Sequence, residues 1–254
     1  MFSQVLNRKA SFIASLAAVA VVGTGAIAPA SQAATISLVP QQEGEVDLDN
    51  LACLTATCFT LDDSIFSSVT SEIDSSTQTR SYLFVDAKGT KNTYNDLVNG
   101  GTFTFGIKDL GTTEPEKQFW FRPVAVNPNG TLIEKGQLEV GTFTFEFAKV
   151  LSSLNLSFFD TEKENGTSFE VFYADNTSQV VTVAKGPDSN IQDFAFNNVS
   201  KIRLNLGERS GATGDGVTFQ GTASVPEPGM VLGATVAAIA GIAGRRRQQA
   251  APKA

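Results

Sequence analysis

Histidine is absent from this 254-residue chain, and cysteine is nearly so, with Cys53 and Cys58 as the two copies. Without histidine the chain has no Ser-His-Asp or Cys-His arrangement for nucleophilic catalysis, and no histidine-ligated metal site. These absences exclude large classes of hydrolases. We therefore expect that the protein is not an enzyme.

Long apolar runs are missing from the middle of the chain and occur at its two ends. At the N-terminus, Arg8 and Lys9 precede an apolar stretch over residues 12–28, and small side chains follow at Ser31-Gln32-Ala33. This order is typical of a secretory signal peptide, which predicts a signal helix in residues 1–33 with cleavage after Ala33. An anchor helix that stays uncleaved is the alternative.

The part of the chain between those ends is short of positive charge. Residues 34–224 contain 13 lysines and arginines against 25 aspartates and glutamates, a net charge of −12, whereas the whole chain has −7. An acidic surface repels nucleic-acid phosphates and favours solubility and divalent cations. We therefore exclude nucleic acid as a partner.

The two cysteines form a CxxxxC pair, which offers too few ligands for zinc, since a structural zinc site needs four. In an exported chain this pair indicates a local disulfide between Cys53 and Cys58 that closes a small loop. Two reduced cysteines packed in the core are the alternative.

The body also lacks helical periodicity and has the pattern of strands throughout. Phe143, Phe145 and Phe147 alternate with polar residues, and other segments repeat this period of two. One apolar and one polar face indicate antiparallel strands on a shared core. Turn signals such as Asn197-Asn198 separate the short segments. We predict an all-β fold, an antiparallel β-sandwich of jelly-roll type.

The second apolar run follows an acidic residue between two prolines. Pro226 and Pro228 keep the backbone around Glu227 extended and unable to enter a helix or a sheet ladder. As a helix, residues 230–243 span about 21 Å, which is shorter than a hydrocarbon core of roughly 30 Å. We predict a short hydrophobic helix that anchors the protein, with three arginines on the cytoplasmic side, Arg245, Arg246 and Arg247.

This C-terminal segment resembles the PEP-CTERM sorting signal of bacterial exported proteins. The matching residues are the apolar stretch and its flanks, Val225, Pro226, Glu227, Pro228, Arg245, Arg246 and Arg247. The resemblance implies recognition by exosortase, a membrane protease-transpeptidase that cleaves near the Pro-Glu-Pro, and delivery to the cell surface or the extracellular matrix. An uncleaved single-pass anchor is the alternative.

A second resemblance covers the body. The sequence "LEVG" at residues 138–141, followed by "TFTFEF" and "LNLSFFDTE", is similar to the LEVG group of PEP-CTERM proteins, found mainly in cyanobacteria. It implies a recurring extracellular β domain with no assigned activity. We divide the chain into a signal peptide (1–33), a loop-rich first part of the β domain (34–80), the sandwich body (81–224), the sorting and anchor segment (225–247) and a cytoplasmic tail (248–254).

Aromatic residues other than phenylalanine are few, with one tryptophan and three tyrosines. In a strand, Trp120 points away from Phe119 and Phe121 and shares its face with Arg122. If the phenylalanines are buried, Trp120, Arg122 and Tyr173 are candidates for an exposed platform on which sugar rings stack. Burial of Trp120 in the core is the alternative.

Three acidic residues at strand ends are the candidates for a metal site. Asp160 and Glu162 follow one predicted strand, and Asp215 precedes the last one. Calcium takes six to eight oxygen ligands, so we consider a structural calcium ion there and expect no other cofactor. Solvated carboxylates in turns are the alternative.

Together these patterns predict an exported, surface-sorted, non-catalytic β-sandwich that interacts with polysaccharide of the matrix or the cell envelope. One alternative is a hydrolase acting on extracellular polysaccharide, which needs two carboxyls facing each other across a cleft. The other is a structural surface component that associates with itself.

Overall fold

Thirteen β-strands make up the described part of the computed structural model, which covers residues 35–87, 89–98, 100–106, 118–133, 138–209 and 216–225. The first seven strands are β1 (Thr35–Ser37), β2 (Gly44–Val46), β3 (Cys58–Phe59), β4 (Phe66–Glu72), β5 (Tyr82–Ala87), β6 (Asn92–Asn95) and β7 (Thr102–Phe105). The other six are β8 (Phe119–Val124), β9 (Gly141–Phe159), β10 (Ser168–Tyr173), β11 (Ser178–Thr182), β12 (Ile191–Leu206) and β13 (Thr218–Ser224). These ranges contain no helix, so the prediction of an all-β fold is confirmed.

Several sequence predictions concern residues outside these ranges. They are the signal helix in 1–33, the sorting and anchor residues 226–247, the tail 248–254 and the acidic residue Asp215. Among the described residues, no helix has the length and hydrophobicity to span a membrane. All of the described residues belong to one compact unit.

Eleven of the strands form one large sheet. It runs in the order β11-β10-β12-β9-β13-β8-β5-β2-β3, with β1 beside β13 and β4 beside β9. Paired strands are antiparallel, apart from the parallel pair β2 and β3. Strands β6 and β7 form a separate hairpin.

The two longest strands, β9 and β12, each run through two parts of the sheet and change partners along their length. The first part of β9 pairs with β4 as far as Phe147, and its last part pairs with β13 from Ser153 onward. Strand β12 pairs with β9 on both sides of a bulge between Val199 and Lys201. The turn predicted at Asn197-Asn198 is therefore wrong: Asn198 takes a φ of 58° beside the bulge and the strand continues.

Phenylalanine rings fill the core between the two parts of β9. Phe145, in the first part, contacts Phe121 of β8 and Phe219 of β13. Phe158, in the last part, stacks on Phe169 of β10 with ring centroids 5.1 Å apart. All five side chains are buried, and polar residues alternate with them along the strands. The period-two pattern therefore identified the core face of these strands correctly.

A second apolar cluster lies on the opposite face of β5 and β8. The β6–β7 hairpin brings Tyr94, Phe103 and Phe105 against Phe84 of β5, with ring centroids 5.0 to 5.5 Å apart. Strand β5 is therefore buried on both faces, and β8 is covered in the same way. The side chains on the second face of β8 are therefore shielded from solvent.

Candidate functional site

The face of β8 on which we predicted a sugar platform is buried. Trp120 is 3% exposed, and its ring centroid lies 3.8 Å from that of Phe159. Arg122 is also buried, under the ring of Phe105. Tyr173 lies on β10, whose sheet neighbours are β11 and β12, so it does not extend a surface from β8. The platform prediction is therefore wrong, because side chains of β9 and of the β6–β7 hairpin cover this face of β8.

Arg122 instead belongs to a buried ion cluster. Its Nη1 donates to Asp86 Oδ2 at 2.9 Å, and its Nε donates to Glu139 Oε1 at 2.9 Å, with a second donation from Nη2 to Glu139. Its guanidinium carbon lies 4.2 Å from the ring centroid of Phe105. Burial raises the pKa of Asp86, and the neighbouring guanidinium opposes that rise. The cluster ties the hairpin to the sheet, which is a structural role. No motif or spacing singled out Asp86 or Glu139 in advance.

Trp120 carries the unpaired polar atom of this region. Its Nε1 is buried and has no hydrogen-bond partner, the one side-chain nitrogen or oxygen of the described residues in that state. A buried tryptophan usually finds a partner for this N–H group. The buried position of Trp120 is therefore stabilised by ring packing against Phe159 and not by a hydrogen bond from Nε1.

The disulfide loop is anchored by a buried carboxylate. Cys53 and Cys58 are joined by a disulfide, with their Cα atoms 6.1 Å apart. Glu45 of β2 accepts hydrogen bonds from the backbone N–H groups of Leu54 and Thr55 inside the loop, both at 2.6 Å. Glu45 is 1% exposed, and burial raises the pKa of its carboxyl. Since the thiolate is the metal-binding form of cysteine, this bonded pair is not a metal site.

Two of the three predicted calcium ligands meet at the end of β9. Carboxylate oxygens of Asp160, Glu162 and Asp188 lie within 4.8 Å of one another, whereas Asp215 is outside the described residues. Asp160 has a φ of 61°, and its Oδ1 accepts from the N–H of Ser189 at 2.9 Å. This bond fixes the end of β9 to the loop before β12. Calcium binding here stays a prediction.

A groove of about 430 Å³ opens between the segment that follows β1 and the loop between β3 and β4. Apolar and polar side chains share its lining. The residues that matter for its chemistry are Pro40, Gln41, Gln42, Phe59, Thr60, Asp62 and Ile65. We did not predict this groove, because residues 34–80 lack a regular period-two pattern, and nothing in them indicated that two loops would come together.

The rim of the groove carries exposed polar side chains, and an aromatic ring lines its interior. Gln41, Gln42 and Thr60 are exposed, while Phe59 is half-buried. Asp62 accepts from the backbone N–H of Ser64 at 2.9 Å, and hydrogen bonds from that residue hold the pKa of the Asp62 carboxyl below its usual range. Asp62 is therefore ionised at neutral pH and acts as an acceptor.

Comparison with known proteins adds no assignment to this geometry: no family model matches the chain, and no curated protein matches it. The chemistry of the groove and of the ion cluster therefore follows from the residues that form them. Of the two, only the groove is open to a ligand.

Proposed function

We propose that this protein is exported, sorted to the cell surface, and binds polysaccharide of the matrix or cell envelope without catalysing a reaction. In this proposal a signal peptide in residues 1–33 exports the chain. The PEP-CTERM segment at residues 225–247 then delivers it through exosortase. We also propose that the large sheet is an antiparallel sandwich of jelly-roll type, with the core between the two parts of β9.

The observation that carries the binding proposal is the groove beside β1. Its volume of about 430 Å³ lies within the range of roughly 300–1,000 Å³ that small-ligand sites occupy. The half-buried ring of Phe59 offers an apolar face for the C–H side of a sugar. The exposed amides of Gln41 and Gln42 both donate to and accept from sugar hydroxyls. This combination suits a neutral sugar unit of a polymer.

The same groove supports binding over hydrolysis. Glycosidases use two carboxyl groups that flank the scissile bond, one of them a proton donor with a raised pKa. The described lining of the groove contains one carboxyl group, that of Asp62. Its pKa is lowered by hydrogen bonds from Ser64, which makes it a poor proton donor.

Affinity electrophoresis of the full-length protein in detergent tests this proposal, with gels containing a soluble neutral β-glucan or the anionic polymer alginate. We expect retardation by the neutral polymer and little by alginate, because residues 34–224 carry a net charge of −12. The double variant Gln41→Ala, Gln42→Ala should bind the β-glucan at least about tenfold more weakly, since each lost hydrogen bond is worth about 1 kcal/mol.

The matched control is Gln118→Ala, an exposed glutamine outside the groove, which should be retarded like the wild type. Equal retardation of the groove variant and the wild type would show that sugars bind elsewhere. Absence of retardation by any neutral polysaccharide tried would remove the binding proposal altogether.

A further inference from the structure

Strand β11 lies at one end of the large sheet and pairs with β10 alone. Its five residues, "SQVVT", include no charge, no proline and no glycine, and Val180 at its centre is 69% exposed. Edge strands of soluble proteins are usually protected by charged residues, proline, bulges or a covering segment. In the part of the chain that the structure describes, β11 has none of these protections.

Three other outer edges of the sheet, those at β4, β1 and β3, are short or covered. Beside β4, Asp49 donates its N–H to the carbonyl of Val69, and its carboxylate accepts from the N–H of that residue. The side chain of Asn50 bonds both backbone groups of Ser71 in the same way. Strands β1 and β3 have three and two residues. The first half of β12, before Val199, pairs with β9 alone, but it carries the charged residue Asp193, which protects an edge. Among these described edges, β11 is therefore the one best suited to adding another strand.

The pairing with β10 determines which backbone groups of β11 point outward. The N–H of Tyr173 donates to the carbonyl of Thr177, and the N–H of Val183 donates to the carbonyl of Thr167. Hydrogen-bonded and non-hydrogen-bonded pairs alternate in an antiparallel ladder. The residues that direct N–H and C=O away from the sheet are therefore Ser178, Val180 and Thr182. No described residue hydrogen-bonds to these outward groups.

We infer that β11 pairs antiparallel with β11 of a second copy of this chain, about a two-fold axis at Val180. In this register Val180 lies opposite Val180 of the second copy, and Ser178 lies opposite Thr182. Each such pair exchanges two N–H···O=C bonds, about six in all, because outward-pointing residues face each other. The interface is isologous and closes as a dimer.

Charge complementarity favours this occupant and this register. Residues at equal distances from Val180 come opposite one another, so Asp175 of one copy lies at the end where Lys185 of the other copy emerges, at both ends of the interface. Asp175 is held by hydrogen bonds from the N–H and hydroxyl of Thr177, at 3.0 and 2.6 Å. A parallel pairing would instead place Asp175 beside Asp175 and Lys185 beside Lys185.

Sedimentation velocity of the full-length protein in detergent tests the dimer, without any polysaccharide added. We expect a dimer that dissociates on dilution. Val180→Lys should weaken the association at least tenfold, because it places two positive charges opposite each other at the axis. The matched control is Val150→Lys, an exposed valine on β9, which should leave the association unchanged.

A charge swap tests the register. Lys185→Glu alone should weaken the dimer, and addition of Asp175→Lys should restore it. Thermal unfolding of each variant checks that the fold is retained, which we expect because the substituted positions are exposed. A wild type that stays monomeric at all soluble concentrations, or a Val180→Lys variant that associates like the wild type, overturns the inference. Neither outcome depends on sugar binding, so the groove proposal is judged separately.

Discussion

Glu45 holds two backbone N–H groups of the disulfide loop although it is almost completely buried. Burial raises the pKa of its carboxyl above 4.5, the value of an ordinary glutamate, and the hydrogen bonds from the loop oppose this rise. The folded protein therefore binds this proton more tightly than the unfolded chain does. The contribution of Glu45 to stability is thus largest below pH 4.5 and is lost as pH rises through the folded-state pKa.

Glu45→Gln separates the hydrogen bonds from the charge. Glutamine has one carbonyl oxygen, so one of the N–H groups of Leu54 and Thr55 loses its acceptor, at a cost of about 1–3 kcal/mol. The variant also lacks the ionisation that destabilises the wild type as pH rises. We therefore expect it to be less stable at pH 4, with a difference in unfolding free energy that narrows by pH 7.

Urea unfolding at several pH values measures this difference, with Glu164→Gln, an exposed glutamate, as the control. A difference in unfolding free energy that stays constant or widens with pH would show that the ionisation of Glu45 is not what couples pH to stability.

Trp120 shows what the alternation of side chains can predict for a single residue and what it cannot. Alternation correctly placed Trp120 on the face opposite Phe121, but its exposure depended on side chains from distant strands.

At the scale of elements, the bulge in β12 shows how a turn signal is misleading. Asn198 takes a φ of 58°, a left-handed value that asparagine tolerates better than most residues. Such residues are common in turns, and the Asn-Asn pair therefore predicted one. Strand β12 continues because its hydrogen bonds with β9 resume on the far side, from Lys201 onward.

Substitutions at this bulge test that interpretation. Asn198→Gly should be nearly neutral because glycine adopts positive φ freely. Asn198→Val should cost about 1–2 kcal/mol, since a β-branched side chain is strained in the left-handed region. The control is Asn197→Val, an exposed neighbour without positive φ, which should change stability little. Chemical unfolding measures all three, and equal losses for both valine variants would contradict the role of backbone strain.

The strands that the sequence predicted are those with apolar residues on one face. Strands β9, β10 and β12 have this pattern and were found, whereas β4 ("FSSVTSE") and β6 ("NTYN") have too few apolar residues to show it. The position of β4 is fixed by β9, which lies about 70 residues further along the chain, whereas β6 pairs with β7, the next strand, in a hairpin. The groove is lined by residues within 37–42 and 59–66, which lie in the same irregular part of the chain as Glu45 and the start of β4. Neither its lining nor Glu45 was therefore predicted.

At the scale of the whole molecule, charge is distributed unevenly between the body and the ends. Residues 34–224 have a net charge of −12, compared with −7 for the entire chain. Removal of both ends would therefore leave a more acidic protein, which favours solubility and disfavours contact with anionic surfaces. The −12 charge also makes the proposed dimer weaker at low ionic strength than at physiological salt, where repulsion between the copies is screened.

Processing at the two ends is the prediction that decides location. Val225, the last described residue before the proline pair, packs against the core, and β13 ends at Ser224. Cleavage near Pro226-Glu227-Pro228 would thus leave all described core residues in place.

We expect mass spectrometry of the protein from its native envelope to give an N-terminus at Ala34 and a C-terminus near residue 226. Glu227→Ala should keep the tail attached and the protein in the membrane fraction, whereas Glu208→Ala should be processed normally. Recovery of a chain with both Met1 and Ala254 attached would contradict export and sorting together, and would leave the groove without an extracellular polymer to bind.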